Sequence, residues 1–268
     1  MRRLITLTTD FGTRDSYVAQ MKGVLYAQGP GDLEVVDLTH EIAPQQVLEA
    51  ALFVRAAVPR FPLGTIHVVV VDPGVGSARE ALLCEHAGQF LLGPDNGVLS
   101  LALTGTFRAL ALRPERFVAT ELSATFHGRD LFAPAAARVA RGALPAQLGD
   151  IIADIERIAW PGVEVRRSEL RGQVLQVDSF GNLISNVSRA DLAAWIPERE
   201  WAQLRVVVGS SAPLPIVRCY ADAAPGSAVA LFGSGGLLEL AVTNGSAAAT
   251  FGVAVGAELS VSVLSSPA

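Results

Sequence analysis

Three short polar clusters in the first half of the chain carry residue types that could do chemistry. Thr8-Thr9-Asp10-Phe11-Gly12, with Asp15 close behind, follows an apolar run. A carboxylate at a strand end can accept from both hydroxyls of a ribose; the same Asp10 also suits a helix cap. Val71-Asp72-Pro73-Gly74-Val75-Gly76-Ser77 is the second cluster, with Arg79 just beyond it. Proline and two glycines force a tight loop there. The loop turns a carboxylate and a guanidinium toward each other, as a working centre or as a structural ion pair. Thr125-Phe126-His127-Gly128-Arg129-Asp130 is the third. Gly128 permits close approach of a ligand to His127, although a lone histidine is also a common structural residue.

The second half offers Asp178-Ser179-Phe180-Gly181-Asn182, Tyr220-Ala221-Asp222 and Gly233-Ser234-Gly235-Gly236. Asn182 and Tyr220 could supply hydrogen bonds and a stacking face, and the glycine-rich turn exposes backbone donors and acceptors. Each is also ordinary hairpin chemistry. Other motifs are excluded. Asp10-Phe11-Gly12 stands without any companion kinase signature. No histidine pair has zinc-ligand spacing, and there is neither a GxSxG elbow nor a paired-cysteine motif. His40, His67 and His86 read as structural.

Positioning these clusters requires a particular alternation of elements. Leu4 to Thr9, Leu33 to Leu38, His67 to Val71 and Ala81 to His86 read as strands. Asp15 to Gln28, Pro44 to Val58, Asn96 to Leu103 and Asp130 to Arg141 read as helices. Such alternation predicts an α/β domain with a central sheet flanked by helices, whose ligands lie beyond the carboxyl ends of its strands. After Trp160-Pro161-Gly162 the texture changes to short strand-like pieces separated by Gly, Ser, Asn and Pro, with one short helix at Arg189 to Ile196. That predicts a smaller all-β, barrel-like C-terminal domain. The reading is residues 1–165 for the α/β domain and 166–268 for the β-barrel domain.

Half of the 268 residues are hydrophobic, enough for two cores, and the net charge is −5. No basic stretch tracks a phosphate backbone, so a nucleic-acid partner is not expected. No apolar run reaches membrane-spanning length, and Thr and Asp interrupt the first one before a signal peptide could form. Cys84 and Cys219 sit far apart in apolar contexts and read as free thiols of a reducing cytoplasm.

Taken in order, TTDFGTRDSYVAQMKG, VVDLTHEIAP, VVVVDPGVGSAR, GPDNGVLS, TFHGRDLFAPAAA, VDSFGNLISN, YADAAPGSAVALFGSGGLLELAV and NGSAA span nearly the whole chain. This ordered set resembles the S-adenosylmethionine hydroxide adenosyltransferase family, relatives of the bacterial fluorinase and chlorinase. The resemblance implies hydrolysis of S-adenosyl-L-methionine at ribose C5′ to adenosine and L-methionine. It implies an α/β domain and a β-barrel domain, a homotrimer with sites between subunits, a small-molecule substrate and no cofactor or metal. It further implies that Asp72, Arg79 and His127 position water and that Asp10 holds the ribose. Asp15, Asn182 and Ser234 would meet the methionine end, Tyr220 would stack on adenine, and Asn244 would lie near the adenine edge. Three departures from the halogenases bear on the nucleophile: Asp72 stands for a Tyr of the halide pocket, Val75 for a Thr and Gly128 for a Ser. A carboxylate beside that pocket repels halide and accepts a hydrogen bond from water. Gln45 stands where the fluorinase has a Trp on its ribose wall. The alternatives are a halide-using 5′-adenosyltransferase and a protein that binds adenosine without turnover.

Overall fold

A computed structural model describes residues 3–119 and 121–263 of the chain. The backbone divides after Ile158 into two compact units, each with its own sheet.

In the first unit, β1 (Arg3–Thr9), α1 (Tyr17–Gln28), β2 (Leu33–Thr39), α2 (Val47–Ala57), β3 (Ile66–Val70), β4 (Ala81–His86), β5 (Gln89–Pro94), β6 (Phe107–Leu112), α3 (Ala133–Ala140) and β7 (Gly149–Ile152) follow in order. The sheet order is β2-β1-β3-β5-β4-β6-β7. β2, β1, β3 and β5 run parallel, while β4, β6 and β7 pair antiparallel. Both faces are covered, which is why the strands read as nearly unbroken apolar runs. Ile5, Leu7, Val68 and Leu83 point to one face and pack with Met21 and Leu25 of α1 and the alanines of α3. Val69, Leu82, Cys84 and Leu91 point to the other, against Ala50 and Val54 of α2. On that second face Thr6 and His67 stand opposite each other across β1 and β3, with Oγ1 and Nδ1 2.7 Å apart. Burial pushes the His67 imidazole down to about 4, so it is a neutral core residue at ordinary pH.

Two helix predictions are corrected. Asn96 to Leu103 forms a chain of turns. The Asn96 side chain accepts from the amide of Val98 and donates to the carbonyl of Val71, while Gly97 sits at φ +90°. An asparagine that bonds the backbone on both sides competes with a helix and wins here. The helix expected from Pro44 starts only at Val47, because Gln45 takes a left-handed backbone at φ +65°.

In the second unit, β8 (Glu164–Val165), β9 (Glu169–Val177), β10 (Leu183–Ser188), α4 (Arg189–Trp195), β11 (Leu204–Val208), β12 (Leu214–Pro215), β13 (Ala228–Phe232), β14 (Leu237–Val242), α5 (Ala247–Phe251) and β15 (Glu258–Val263) follow in order, and the strands build one antiparallel sheet. Its order is β12-β11-β15-β9-β10-β14-β13, with β8 paired to β9. A bridge between Ile216 and Ala230 links the segment after β12 to β13 at the far end of that order, so the sheet is nearly closed. Leu170, Val174, Leu183, Val206, Leu240 and Val261 fill the interior. The α4 helix is capped by Ser188, whose hydroxyl accepts from the amide of Asp191. The two-domain expectation, an α/β domain followed by a β-barrel-like one, is the architecture of the molecule.

Candidate active site

The carboxyl ends of β1 and β3 open into a cavity of about 370 Å³. Asp10, Gln45, Asp72 and His127 line it, with an aromatic wall of Phe11, Tyr17 and Phe126. Those three rings pack edge to face or tilted, with centroids 5.2 to 5.8 Å apart.

Three polar side chains meet on one side of this cavity. Arg79 donates through Nε to Asp72 Oδ1 at 2.8 Å and through Nη2 to Asp72 Oδ2, a two-pronged pair. The two side chains are 9% and 4% exposed. The same Nη2 lies 3.0 Å from His127 Nδ1. Arginine can only donate, so Nδ1 is the acceptor and the neutral ring carries its proton on Nε2. Burial lowers the His127 pKa, and the Arg79 charge lowers it further against the opposing pull of Asp72 and Asp130. A buried ion pair adds little net stability, because desolvating two charges offsets most of their attraction. Two charges and an imidazole gathered at a cavity therefore point to chemistry.

Local structure explains how the three meet. Asp72 and Arg79 sit on the two arms of the Pro73–Gly76 loop, and the Asn96 amide fixes the peptide before Asp72 by donating to Val71. His127 opens a π-type turn, Gly128–Phe132, that runs into α3; such turns recur at functional sites. Arg129 and the amide of Ser123 both donate to Asp130, which pins the stretch from 123 to 130. Gly76 joins the two loops: at φ +77°, a β-carbon there would lie 2.3 Å from the carbonyl oxygen of Ala124. Only glycine permits that approach. Gly128 is similarly crowded, with Met21 Sδ 3.1 Å from where a β-carbon would stand.

Asp10 faces the same cavity, and its Oδ2 accepts from the backbone amide of Gln45 at 2.8 Å. The left-handed turn that delays α2 is what aims that amide. Asp15, in contrast, is exposed and lies outside the residues lining this cavity.

The second unit has its own cavity of about 850 Å³, which Asp178, Phe180, Asn182, Tyr220, Ser234, Glu239 and Asn244 help to line. Asn182, Tyr220, Ser234 and Asn244, named from sequence, thus converge. Asn182 is buried and its Nδ2 donates to Asp178 Oδ2 at 2.9 Å. Asn244 takes a left-handed backbone at φ +59°. Glu239 was not singled out from sequence. It is 7% exposed, and its Oε1 accepts from the Tyr220 hydroxyl. Burial raises the Glu239 carboxyl and also raises the Tyr220 phenol, which is further held by its bond to Glu239. The other carboxylate oxygen lies 2.3 Å from where a β-carbon of Gly233 would be. The available signal was a single acid inside the apolar run Leu237-Leu238-Glu239-Leu240-Ala241-Val242.

Among the described residues no group of three His, Cys, Asp or Glu side chains could hold a metal, and no helix is long and apolar enough to cross a membrane.

Comparison with known proteins gives the same residues a family. The SAM hydroxide adenosyltransferase N-terminal domain matches residues 5–149 and the corresponding C-terminal domain matches residues 172–260. The (R)-S-adenosyl-L-methionine hydrolase of Salinispora arenicola is 38% identical over 262 residues, 96% of this chain and 97% of that one. That of Thermus thermophilus is 38% identical over 263 residues, 95% of this chain and 97% of that one. A crystal structure of an uncharacterized conserved protein from Thermotoga maritima superposes with a TM-score of 0.86 at 31% identity, covering 96% of this chain and 99% of that one. The fluorinase of Nocardia brasiliensis is more distant, at 28% identity. With both domains matched and full-length relatives above 30% identity, the chain belongs to the SAM hydroxide adenosyltransferase family.

Proposed function

We propose that this protein is an S-adenosyl-L-methionine hydrolase in which Asp72, Arg79 and His127 place a water molecule for attack at ribose C5′. The observation that carries the reading is the Asp72–Arg79–His127 network at a cavity that Asp10 also lines. The water oxygen bonds to C5′ as the C5′–S bond breaks. The electron pair goes to sulfur, which leaves as the neutral thioether of methionine, and one proton is released. A neutral leaving group needs no general acid and no metal to stabilise it. What the site must supply is an in-line oxygen about 3 Å from carbon and shielded from bulk water.

Division of labour follows from the hydrogen bonds. The lone pair of His127 Nδ1 is engaged by Arg79, so His127 acts as a donor through Nε2–H and orients the water. Asp72 keeps lone pairs beyond those used by Arg79 and is the anionic acceptor for the water proton. Arg79 fixes both partners and stabilises hydroxide character. Asp10 takes the ribose hydroxyls. Asp15, Asn182 and Ser234 serve the methionine end, and Tyr220 and Asn244 serve the adenine. The negative charge of Asp72 disfavours halide as the nucleophile. We further place the working unit as a homotrimer in the cytoplasm, with sites completed between subunits. Family resemblance supports the trimer, and two free thiols, Cys84 and Cys219, accord with a reducing compartment.

Chromatography of S-adenosyl-L-methionine incubated with the protein in halide-free buffer tests the activity. Equimolar adenosine and methionine are expected, with turnover falling about 10²-fold or more in Asp72→Asn while substrate binding is kept. Adenosine bound tightly with no products would mean a binding protein. Products that appear only with added halide would mean a halogenase.

A further inference from the structure

The stretch Asp37-Leu38-Thr39-His40-Glu41 has no part in the mechanism above. It ends β2 and runs beside the loop that carries Asp10, to which it is tied by several polar links. His40 Nδ1 lies 2.9 Å from Thr9 Oγ1. The carbonyl of His40 accepts from the amide of Gly12 at 2.7 Å. Thr13 donates to Glu41 Oε1 at 3.3 Å. Thr9 Oγ1 also accepts from the amide of Phe11 at 3.2 Å. Thr9 Oγ1 thus joins the Phe11 amide to the His40 ring, and the Thr9–His40 bond holds whichever of the two groups carries its proton. His40 Nε2 in turn lies 3.1 Å from Asp37 Oδ1, close enough for attraction although bent away from hydrogen-bond geometry. Lys22 of α1 closes the series by donating to Asp37 Oδ2 at 2.5 Å.

Burial by itself would raise the Asp37 carboxyl, but the bond from Lys22 and the nearby His40 ring outweigh it and hold it below the usual range. A polar chain therefore runs from a lysine at the surface, through a carboxylate and a buried imidazole, to the backbone amide next to Asp10. Thr9 is fully buried and His40 is 5% exposed, so each unsatisfied polar atom there would carry a desolvation penalty. Valine would fill the Thr9 site equally well by volume. Its hydroxyl is what links the loop to His40.

We propose that His40 is a positioning residue for the substrate: acting through Thr9 and through its own carbonyl, it sets the path of the Thr9–Gly12 loop and hence the place where the Asp10 carboxylate meets the nucleoside. Asp10 is then held from two sides, its loop by His40 and its carboxylate by the amide of Gln45. The proposal rests on the reading of Asp10 as the ribose-binding acid.

The test compares Thr9→Val, Thr9→Ser and Asp10→Ala in the full-length protein, by steady-state turnover of S-adenosyl-L-methionine and by calorimetric binding of adenosine. Thr9→Val should raise KM and weaken adenosine binding about tenfold, with kcat within about twofold of the parent. Thr9→Ser should restore both. In an Asp10→Ala background, Thr9→Val should add no further loss of affinity. Asp37→Ala, at the partly exposed end of the chain, should move KM in the same direction by about threefold and covers the case in which Thr9→Val does not fold. Unchanged affinity in Thr9→Val and Asp37→Ala beside a weakened Asp10→Ala overturns the proposal alone. A lower melting temperature and lower kcat at unchanged adenosine affinity would make the network merely structural, which also overturns it. An unchanged affinity in Asp10→Ala overturns the ribose reading and the proposal with it.

Discussion

At the scale of single residues, the distinctive feature is a histidine held neutral by burial and by the arginine beside it. Burial and the Arg79 charge both lower the His127 pKa from its ordinary value near 6.5. The neutral ring is therefore present at and above neutral pH, and it is lost only as pH falls through that lowered value. Protonation at Nδ1 would place a proton against the guanidinium and break the Arg79 contact. The acid limb of kcat/KM should accordingly have its midpoint below 6.5. In His127→Asn, whose side-chain oxygen can still accept from Arg79, that limb should disappear while some activity remains. An identical limb in the variant would assign the titration to another group. Read from the residues alone, Asp72 and Arg79 share one cluster and His127 lies in another; the family resemblance is what groups all three. Which nitrogen of the imidazole faces the arginine depends on two loops meeting in space, and no spacing along the chain reveals it.

At the scale of elements, the site is a junction of loops on a rigid sheet, and Gly76 is its closest point. Its left-handed backbone and the nearby Ala124 carbonyl leave no room for a side chain. Gly76→Ala should press the Asp72–Arg79 loop away from the segment leading to His127. A displacement of about 1 Å is enough to lower kcat by about 10²-fold, with the fold retained. Gly64→Ala is the control. Gly64 has a similar backbone, φ +81°, but nothing within 4 Å of a β-carbon, so that variant should show a small loss of thermal stability and normal kcat. Equal kinetic effects from both would show that backbone strain, not the loop contact, is responsible. The same elements show where sequence reading succeeds and where it stops. β3 was legible because burial on both faces demands a nearly unbroken apolar run, and β1 because its β-branched residues, threonines included, suit a buried strand. The stretch from Asn96 was not, because its apolar spacing mimics a helix while the Asn96 side chain bonds the backbone instead. The late start of α2 was hidden too, since nothing in the letters at Gln45 announces φ +65°. Glu239 escaped for a related reason: an acid in an apolar strand gains its meaning only from Tyr220, nineteen positions away.

At the scale of the whole molecule, the residues assigned to the substrate fall in two units that each fold around a separate core. Asp10, Asp72, Arg79 and His127 belong to the first, and Asn182, Tyr220, Ser234 and Asn244 to the second. A homotrimer that completes each site with the second unit of a neighbouring subunit has a consequence that a self-contained chain lacks. Asp72→Asn disables only the first unit, and Tyr220→Ala only the second. Each variant by itself should be nearly inactive. In oligomers formed by co-expressing both in equal amounts, about a quarter of the sites would pair an intact first unit with an intact second unit from the adjacent subunit. Activity should return to about that fraction of the parent, and light scattering should give the mass of three chains. If each site is made within one chain, every site keeps one lesion and co-expression restores nothing. Loss of recovery on dilution, in step with a falling mass, would tie the activity to the assembly itself.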